Sequence, residues 1–340
     1  MSRPELPQTS PASLRTAPRR KRRPDVTVCI VNWNCRDYLR ACLRSLRPRR
    51  QGVRVQVVVV DNASTDGAAD MVARQFPRVT LVRNAANAGF ARANNQAAAR
   101  ARGRYLFFLN NDTLVPPLAL KRLRDYAEAH PDVGMIGPRL RDGRGRTQLS
   151  CRLRPTLGAL LHRLVLLRWT GLFRRAYRRY RWRDGDATAT RPVEVLMGAA
   201  LFVRRRTFRA CGLWDEGYTF GGEDIDLCAR VGRRHAVVYH PAVAVTHFGR
   251  AASRRHIGYA HTHTLVGITR YLRRSGCPRP ALWAYKAALT LDAPLQWLCH
   301  AAEYLWRRAR GRHAQAEKSW RVLRGLTYLL TRGLGPLWRA

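Results

Sequence analysis

Asp112 ends an apolar run and follows two asparagines, Asn110 and Asn111. A carboxylate at a strand tip can hold a hard divalent cation through one oxygen, leaving the other coordination positions to water and a substrate phosphate, as magnesium and manganese prefer. His247, at the end of a later apolar stretch, is a candidate second ligand because a neutral imidazole suits manganese. Glu223, Asp224 and Asp226 place three carboxylates within four residues of a chain poor in acids and dense in arginine. A carboxylate in a partly desolvated cleft can act as general base toward a hydroxyl. If the segment opens a helix, the acids also favour its dipole, and Asp226 can equally be a capping or ion-pair residue. Gly221 and Gly222 are expected to give this segment a flexible entry. Asp61 follows four valines and can accept a hydrogen bond from the imide nitrogen of a uracil or thymine base. Asn, Asp and Ser also serve turns in their own right, so each of these residues has a purely local alternative.

The elements that must carry these groups follow from hydrophobic patterning. Short β-branched or apolar runs at 26–31, 55–60, 79–82 and 105–109 alternate with helical stretches at 37–46, 68–76 and 88–102. Continuous apolar strands separated by helices of this kind indicate a parallel sheet covered on both faces, an α/β domain. Ligands bind such sheets beyond the carboxyl ends of the strands. Three of those ends carry polar clusters: Asn32 to Asn34, Asp61 to Ser64, and Asn110 to Asp112. Further on, residues 116–130 read as a helix, 133–136 as a strand and 141–146 as a glycine-rich turn. Residues 236–239 and 242–246 read as two short strands, the second ending at His247.

Lys and Arg number 63 against 22 acids, a formal net charge of +41. Such a chain seeks anionic partners. The arginines are spread along the whole length rather than gathered into a nucleic-acid-reading block, and no helix-turn-helix, zinc finger or RNA-recognition signature accompanies them. Eight cysteines without a paired or zinc-like spacing read as reduced thiols of a cytosolic protein. Residues 1–24 are basic and Pro-rich, lack the apolar core of a signal peptide, and are expected to be a disordered tail. Residues 254–340 read as amphipathic helices with Trp283, Trp297, Trp306 and Trp320 among arginines. They suit either an anionic membrane surface or a helical cap on the domain. Residues 157–183 share that character.

The order of these features resembles the family 2 inverting glycosyltransferases of GT-A fold, in particular their rhamnosyltransferase-like bacterial branch. The similarity lies in residues 28–34 (VCIVNWN), 57–67 (VVVVDNASTDG), 84–95 (NAANAGFARANN), 106–113 (LFFLNNDT), 197–204 (MGAALFVR), 214–216 (WDE), 222–230 (GEDIDLCAR) and 247–253 (HFGRAAS). The resemblance implies a GT-A domain over 25–253 with a mostly parallel central sheet. It also implies transfer of a sugar, with rhamnose a candidate, from a nucleotide-diphosphate donor to an acceptor hydroxyl, with inversion at the anomeric carbon. The acceptor would be a saccharide or a lipid-linked one, in polysaccharide, cell-wall or glycolipid assembly at the cytoplasmic membrane face.

Carried onto this chain, the resemblance gives Asp61 the pyrimidine base, with Asn32, Asn34 and Asn111 lining the nucleotide pocket and Gly89, Phe90, Asn94 and Asn95 shaping its wall. Asp112 and His247 would hold a divalent metal, Mg2+ or Mn2+, on the diphosphate. Asp224 would be the general base, with Glu223, Asp226 and Trp214 binding the acceptor or orienting the base. The Asp-x-Asp metal motif usual in the wider fold family is here Asn110-Asn111-Asp112, with a single carboxylate. A non-catalytic protein binding nucleic acid or an anionic membrane is the competing class. It accounts for the charge but for none of the motifs.

Overall fold

The computed structural model describes residues 23–181, 188–249 and 257–340. Most of the proposed basic tail, and the end of the motif that starts at His247, therefore lie outside the described residues. The chain begins as anticipated, with β1 (Val26–Asn32), α1 (Arg36–Ser45), β2 (Val55–Asp61), α2 (Ala68–Gln75), β3 (Thr80–Arg83), α3 (Phe90–Ala99) and β4 (Tyr105–Asn110). These four strands pair in parallel in the order β3-β2-β1-β4. Their side chains alternate between two cores. Val26, Val28 and Ile30 join Phe107 and Leu109 on one face of the sheet, while Cys29, Leu106 and Phe108 join the α3 alanines and Trp214 on the other. This double burial is why the strands read as unbroken apolar runs.

The sheet continues through β5 (Thr113–Leu114), α4 (Ala119–Ala129), β6 (Val133–Arg141), β7 (Thr147–Gln148) and β8 (Ala200–Arg204). Helix α5 (Glu223–Val231) then leads into β9 (Ala236–His247). Strand β8 inserts antiparallel between β4 and β6, β9 runs parallel to β6, and β5 caps β9 antiparallel. The two short strands anticipated near residue 240 are in fact one strand of 12 residues. Pro241 lacks the N–H that would continue the ladder, and the register shifts there, between His240 and Ala244, without ending the strand.

Three long helices follow, α6 (Ile257–Arg274), α7 (Arg279–Ala309) and α8 (His313–Tyr328), the last passing through a π-helical turn over Leu329–Gly333 into a short helix over Leu334–Arg339. They build a third core in which Leu265, Ile268, Leu289 and Leu326 meet Tyr218 and Ile225 of the preceding domain. Asp215 and Asp226 on the domain side pair with Arg270 and Arg274 of α6. One face of these helices thus caps the domain, while Trp283, Leu291, Leu298, Leu305 and Trp306 remain exposed. Among the described residues no helix is long and apolar enough to cross a membrane.

Candidate active site

Strand register brings the polar tips together. Asn32 stands opposite Asp61, and Val31 opposite Asn110, so three loops leave the sheet at the same edge. Asn32 Nδ2 donates to Asp61 Oδ1 at 3.0 Å, and Asn111 Nδ2 donates to Asn32 Oδ1 at 2.7 Å. The Ser64 amide donates to Asp61 Oδ2 at 2.9 Å. All three side chains are buried, so a connected polar network fixes the strand tips relative to one another.

His247 reaches this edge through backbone pairing. It lies opposite Thr113 where β9 meets β5, and the Phe248 amide donates to the Asp112 carbonyl at 2.9 Å. Two residues far apart in sequence thereby become neighbours, with His247 Nε2 3.4 Å from Asp112 Oδ1 and both side chains buried. Gln148 Nε2 donates to the His247 carbonyl at 2.6 Å, so its Oε1 faces the ring and accepts the proton of Nδ1 at 3.0 Å. That leaves the lone pair of Nε2 directed toward Asp112, the tautomer a metal ligand needs. Asn110 Nδ2 stands 3.4 Å from the same nitrogen.

Above the pair opens a cavity of about 740 Å3. Its walls include Trp33, Asn62, Gly89, Phe90, Asn111, Asp112 and His247, joined by Glu216, Tyr218, Thr219, Phe220, Tyr259 and Tyr328. Gly89 has φ +79°, a conformation that favours glycine, and its carbonyl accepts from Asn62 Nδ2 at 3.2 Å. Among the described residues no group of three or more His, Cys, Asp and Glu side chains could enclose a metal. One carboxylate and one imidazole nevertheless fit a cation that takes its other ligands from water and a diphosphate.

Several anticipated residues stand behind or beside the cavity rather than in its wall. Asp61 and Asn32 lie beneath it in the network just described. Asn34 fastens the loop after β1, its Oδ1 accepting from the Thr65 amide at 2.7 Å. Asn94 bonds to the Phe90 carbonyl within α3, and Asn95 bonds to both backbone groups of Trp214 and to Glu216. Trp214 is a core residue wedged against Phe90 and Phe108, so its indole packs the wall from behind instead of meeting an acceptor. Asp226 is buried against Arg230 at 2.7 Å and Arg274 at 3.3 Å, an ion-pair residue rather than an acceptor ligand.

Asp224, too, is absent from the cavity wall, and its carboxylate is held by its neighbours. The Gly198 amide donates to its Oδ2 at 3.2 Å, Arg152 lies 3.9 Å from Oδ1, and the next residue, Ala199, accepts from the Asn110 amide. Glu223 Oε2 is enclosed with no hydrogen-bond partner among the described residues. Burial, with the Asp224 charge adding to it, pushes its carboxyl up to about 8. Gly221 and Gly222 are not a flexible entry. Their φ values are +78° and +92°, and both pack tightly against α6 at Thr264 and Gly267.

Sequence reasoning missed Gln148, Glu216 and the cavity-wall aromatics Tyr218, Phe220, Tyr259 and Tyr328, while Phe90 is in the wall as anticipated. Gln148 sits next to a charged glycine turn with nothing to mark it, and Tyr259 and Tyr328 become part of the wall through tertiary packing alone.

The sequence profile described as "Glycosyl transferase family 2" matches residues 27–199. The N-acetylglucosaminyl-diphospho-decaprenol L-rhamnosyltransferase of Mycobacterium tuberculosis is 30% identical over 260 residues, which are 71% of this chain and 83% of that protein. The chain belongs to glycosyl transferase family 2. This family 2 glycosyltransferase is also 27% identical over 261 residues to the O-antigen biosynthesis protein RfbC of Myxococcus xanthus, across 73% of its own length and 19% of the other's. Among solved structures, the mannosyltransferase PcManGT of Pyrobaculum calidifontis, in complex with GDP-Man and Mn2+, superposes with a TM-score of 0.53 at 22% identity. That likeness covers 96% of this chain and 90% of the other and places the glycosyltransferase in the GT-A fold.

Proposed function

We propose that this glycosyltransferase moves a deoxysugar such as rhamnose from a nucleotide-diphosphate donor to a lipid-linked saccharide hydroxyl, with inversion, in polysaccharide or cell-wall assembly. The observation that carries the proposal is the pair formed by Asp112 and His247, 3.4 Å apart beneath a cavity at the carboxyl edge of the parallel strands. The mycobacterial relative is named for a decaprenol-linked acceptor and a rhamnosyl donor. The archaeal structure was solved with a nucleotide sugar and Mn2+.

In this scheme residues 25–253 form the catalytic domain and 254–340 a helical cap. Asp61, fixed by Asn32 and Ser64, presents its remaining lone pairs toward the nucleotide base, and the Gly89–Phe90 turn walls the nucleotide. Asp112 and His247 hold Mg2+ or Mn2+. A bound cation supplies Lewis-acid charge to the departing diphosphate. Asp224 takes the proton of the acceptor hydroxyl as its oxygen bonds to the anomeric carbon and the bond to the diphosphate breaks. One carboxylate acting as base suffices for a single displacement with inversion. The exposed Trp and Leu side chains of α7, with Arg310 and Arg312 stacked on Trp306, suit attachment to the anionic cytoplasmic face of a membrane.

The decisive variant is Asp224→Asn. It should retain donor binding while sugar transfer falls by roughly 100- to 10,000-fold, the contribution of positioned acid–base catalysis. Transfer at the wild-type rate would remove Asp224 from the role of base.

A further inference from the structure

A second cavity, of about 570 Å3, opens among α6, α7 and α8. It shares Tyr259 and Tyr328 with the first, and the two rings meet edge-on with centroids 6.3 Å apart, so one aromatic pair forms a wall common to both spaces. Beyond that wall the second cavity combines two kinds of surface. Trp297, Trp320 and Leu323 supply apolar area, and Trp297 is fixed in place by its Nε1 donating to Thr327 Oγ1 at 3.0 Å. Arg324 and Arg332 supply charge.

Residues 324, 327, 328, 331 and 332 recur at helical spacing, so the two guanidinium groups flank Tyr328 by about one turn on either side. Acids elsewhere on these helices are matched by other arginines, as in Glu303 with Arg307 and Glu317 with Arg321. Neither Arg324 nor Arg332 has a carboxylate partner among the described residues, and both are exposed. Two unpaired guanidinium groups beside an aromatic groove match a ligand with phosphate at one end and hydrocarbon at the other. A bare apolar chain would leave the two guanidinium groups unused.

We propose that this groove binds the polyprenyl diphosphate of the acceptor. Arg324 and Arg332 take the diphosphate, Trp297 and Trp320 take the first isoprene units, and the attached sugar passes Tyr259 and Tyr328 into the first cavity. No bond is made or broken in the groove. The assignment rests on the first cavity being the donor site, so donor and acceptor binding are measured separately.

The probe is geranylgeranyl diphosphate, titrated in detergent against the full chain with EDTA present and followed by tryptophan fluorescence. Nucleotide-sugar binding in Mn2+ is measured in parallel. Geranylgeranyl diphosphate should bind without metal, and more tightly than either geranylgeraniol or inorganic pyrophosphate. The double substitution Arg324→Gln, Arg332→Gln should weaken it at least tenfold, and Trp320→Ala severalfold. All variants should keep wild-type melting temperatures and nucleotide-sugar affinity.

Absence of prenyl diphosphate binding in a wild-type chain that still binds nucleotide sugar would overturn the groove assignment alone. Binding that requires Mn2+ and His247 and ignores the arginine pair would also overturn it, by moving the lipid to the first cavity. Equal losses by the double variant on phosphatidylglycerol vesicles and on the prenyl probe would reassign the arginines to general lipid headgroups. Absence of nucleotide-sugar binding in the wild type would instead sink the donor assignment.

Discussion

The Nδ1–H of His247 is held by Gln148, whose amide also grips the His247 carbonyl, so one side chain fixes both the position and the tautomer of the imidazole. Partners of this kind typically govern metal affinity by about 10- to 100-fold. Gln148→Ala should therefore weaken Mn2+ binding by about that factor, measured by the electron paramagnetic resonance of free Mn2+ in the presence of nucleotide diphosphate, while the fold is unchanged. Unaltered Mn2+ affinity would make Gln148 a surface accessory. Glu223 gives a second test at this scale. Its carboxyl is pushed from an ordinary 4.5 up to about 8, so between those values the folded chain binds a proton that the unfolded chain has lost. Stability contributed by this group is therefore present at low pH and falls as pH rises toward 8. Glu223→Gln should flatten the decline in melting temperature between pH 5 and 8 relative to wild type, and an identical slope in the two proteins would contradict the burial of this acid. The neighbourhood of Asp112 and His247 could be anticipated because each closes an apolar run, and Asp224 stood out only as part of an acidic cluster in an arginine-rich chain. Gln148 was not, because its role depends on a bridge to a residue 99 positions away.

At the scale of elements, the helix carrying Asp224 is set by its contact with α6. Gly222 and Gly267 approach backbone to backbone, and a Cβ on Gly267 would overlap the Gly221 carbonyl oxygen. Gly267→Ala should push α6 from the start of α5, costing about 1 to 3 kcal/mol by overpacking and lowering transfer more than donor binding. A calorimetric melt with paired kinetic and nucleotide-binding assays checks this, and wild-type stability would show that the two helices are not in register contact. The first seven elements were readable because β-branched runs buried on both faces leave little ambiguity in their period. Strand β9 was not, since Pro241 breaks the pattern while β6 and β5 hold the strand together across the bulge. Gly221 and Gly222 were misread as loose for a related reason: positive φ and tight packing produce the same residue choice as flexibility does.

Across the whole molecule, a parallel sheet delivers Asn32, Asp61 and Asn111 to one edge, a late strand adds His247, and the helical cap closes the cavity with Tyr259 and Tyr328. The GT-A domain was legible as a pattern of alternating elements and polar strand tips. The cap's part in the cavity was not, because residues 257–340 carry none of the family's sequence motifs and contribute aromatic residues whose sequence spacing fits ordinary core packing. The account stands on Asp112 and His247 acting together on the donor. The most direct measurement is calorimetric titration of a thymidine-diphosphate sugar into wild type, Asp112→Ala and His247→Ala, each with Mn2+ and with EDTA. Wild type should bind at least tenfold more tightly with Mn2+, and both variants should lose that gain while remaining folded; a gain from Mn2+ that persists undiminished in either variant would contradict the account.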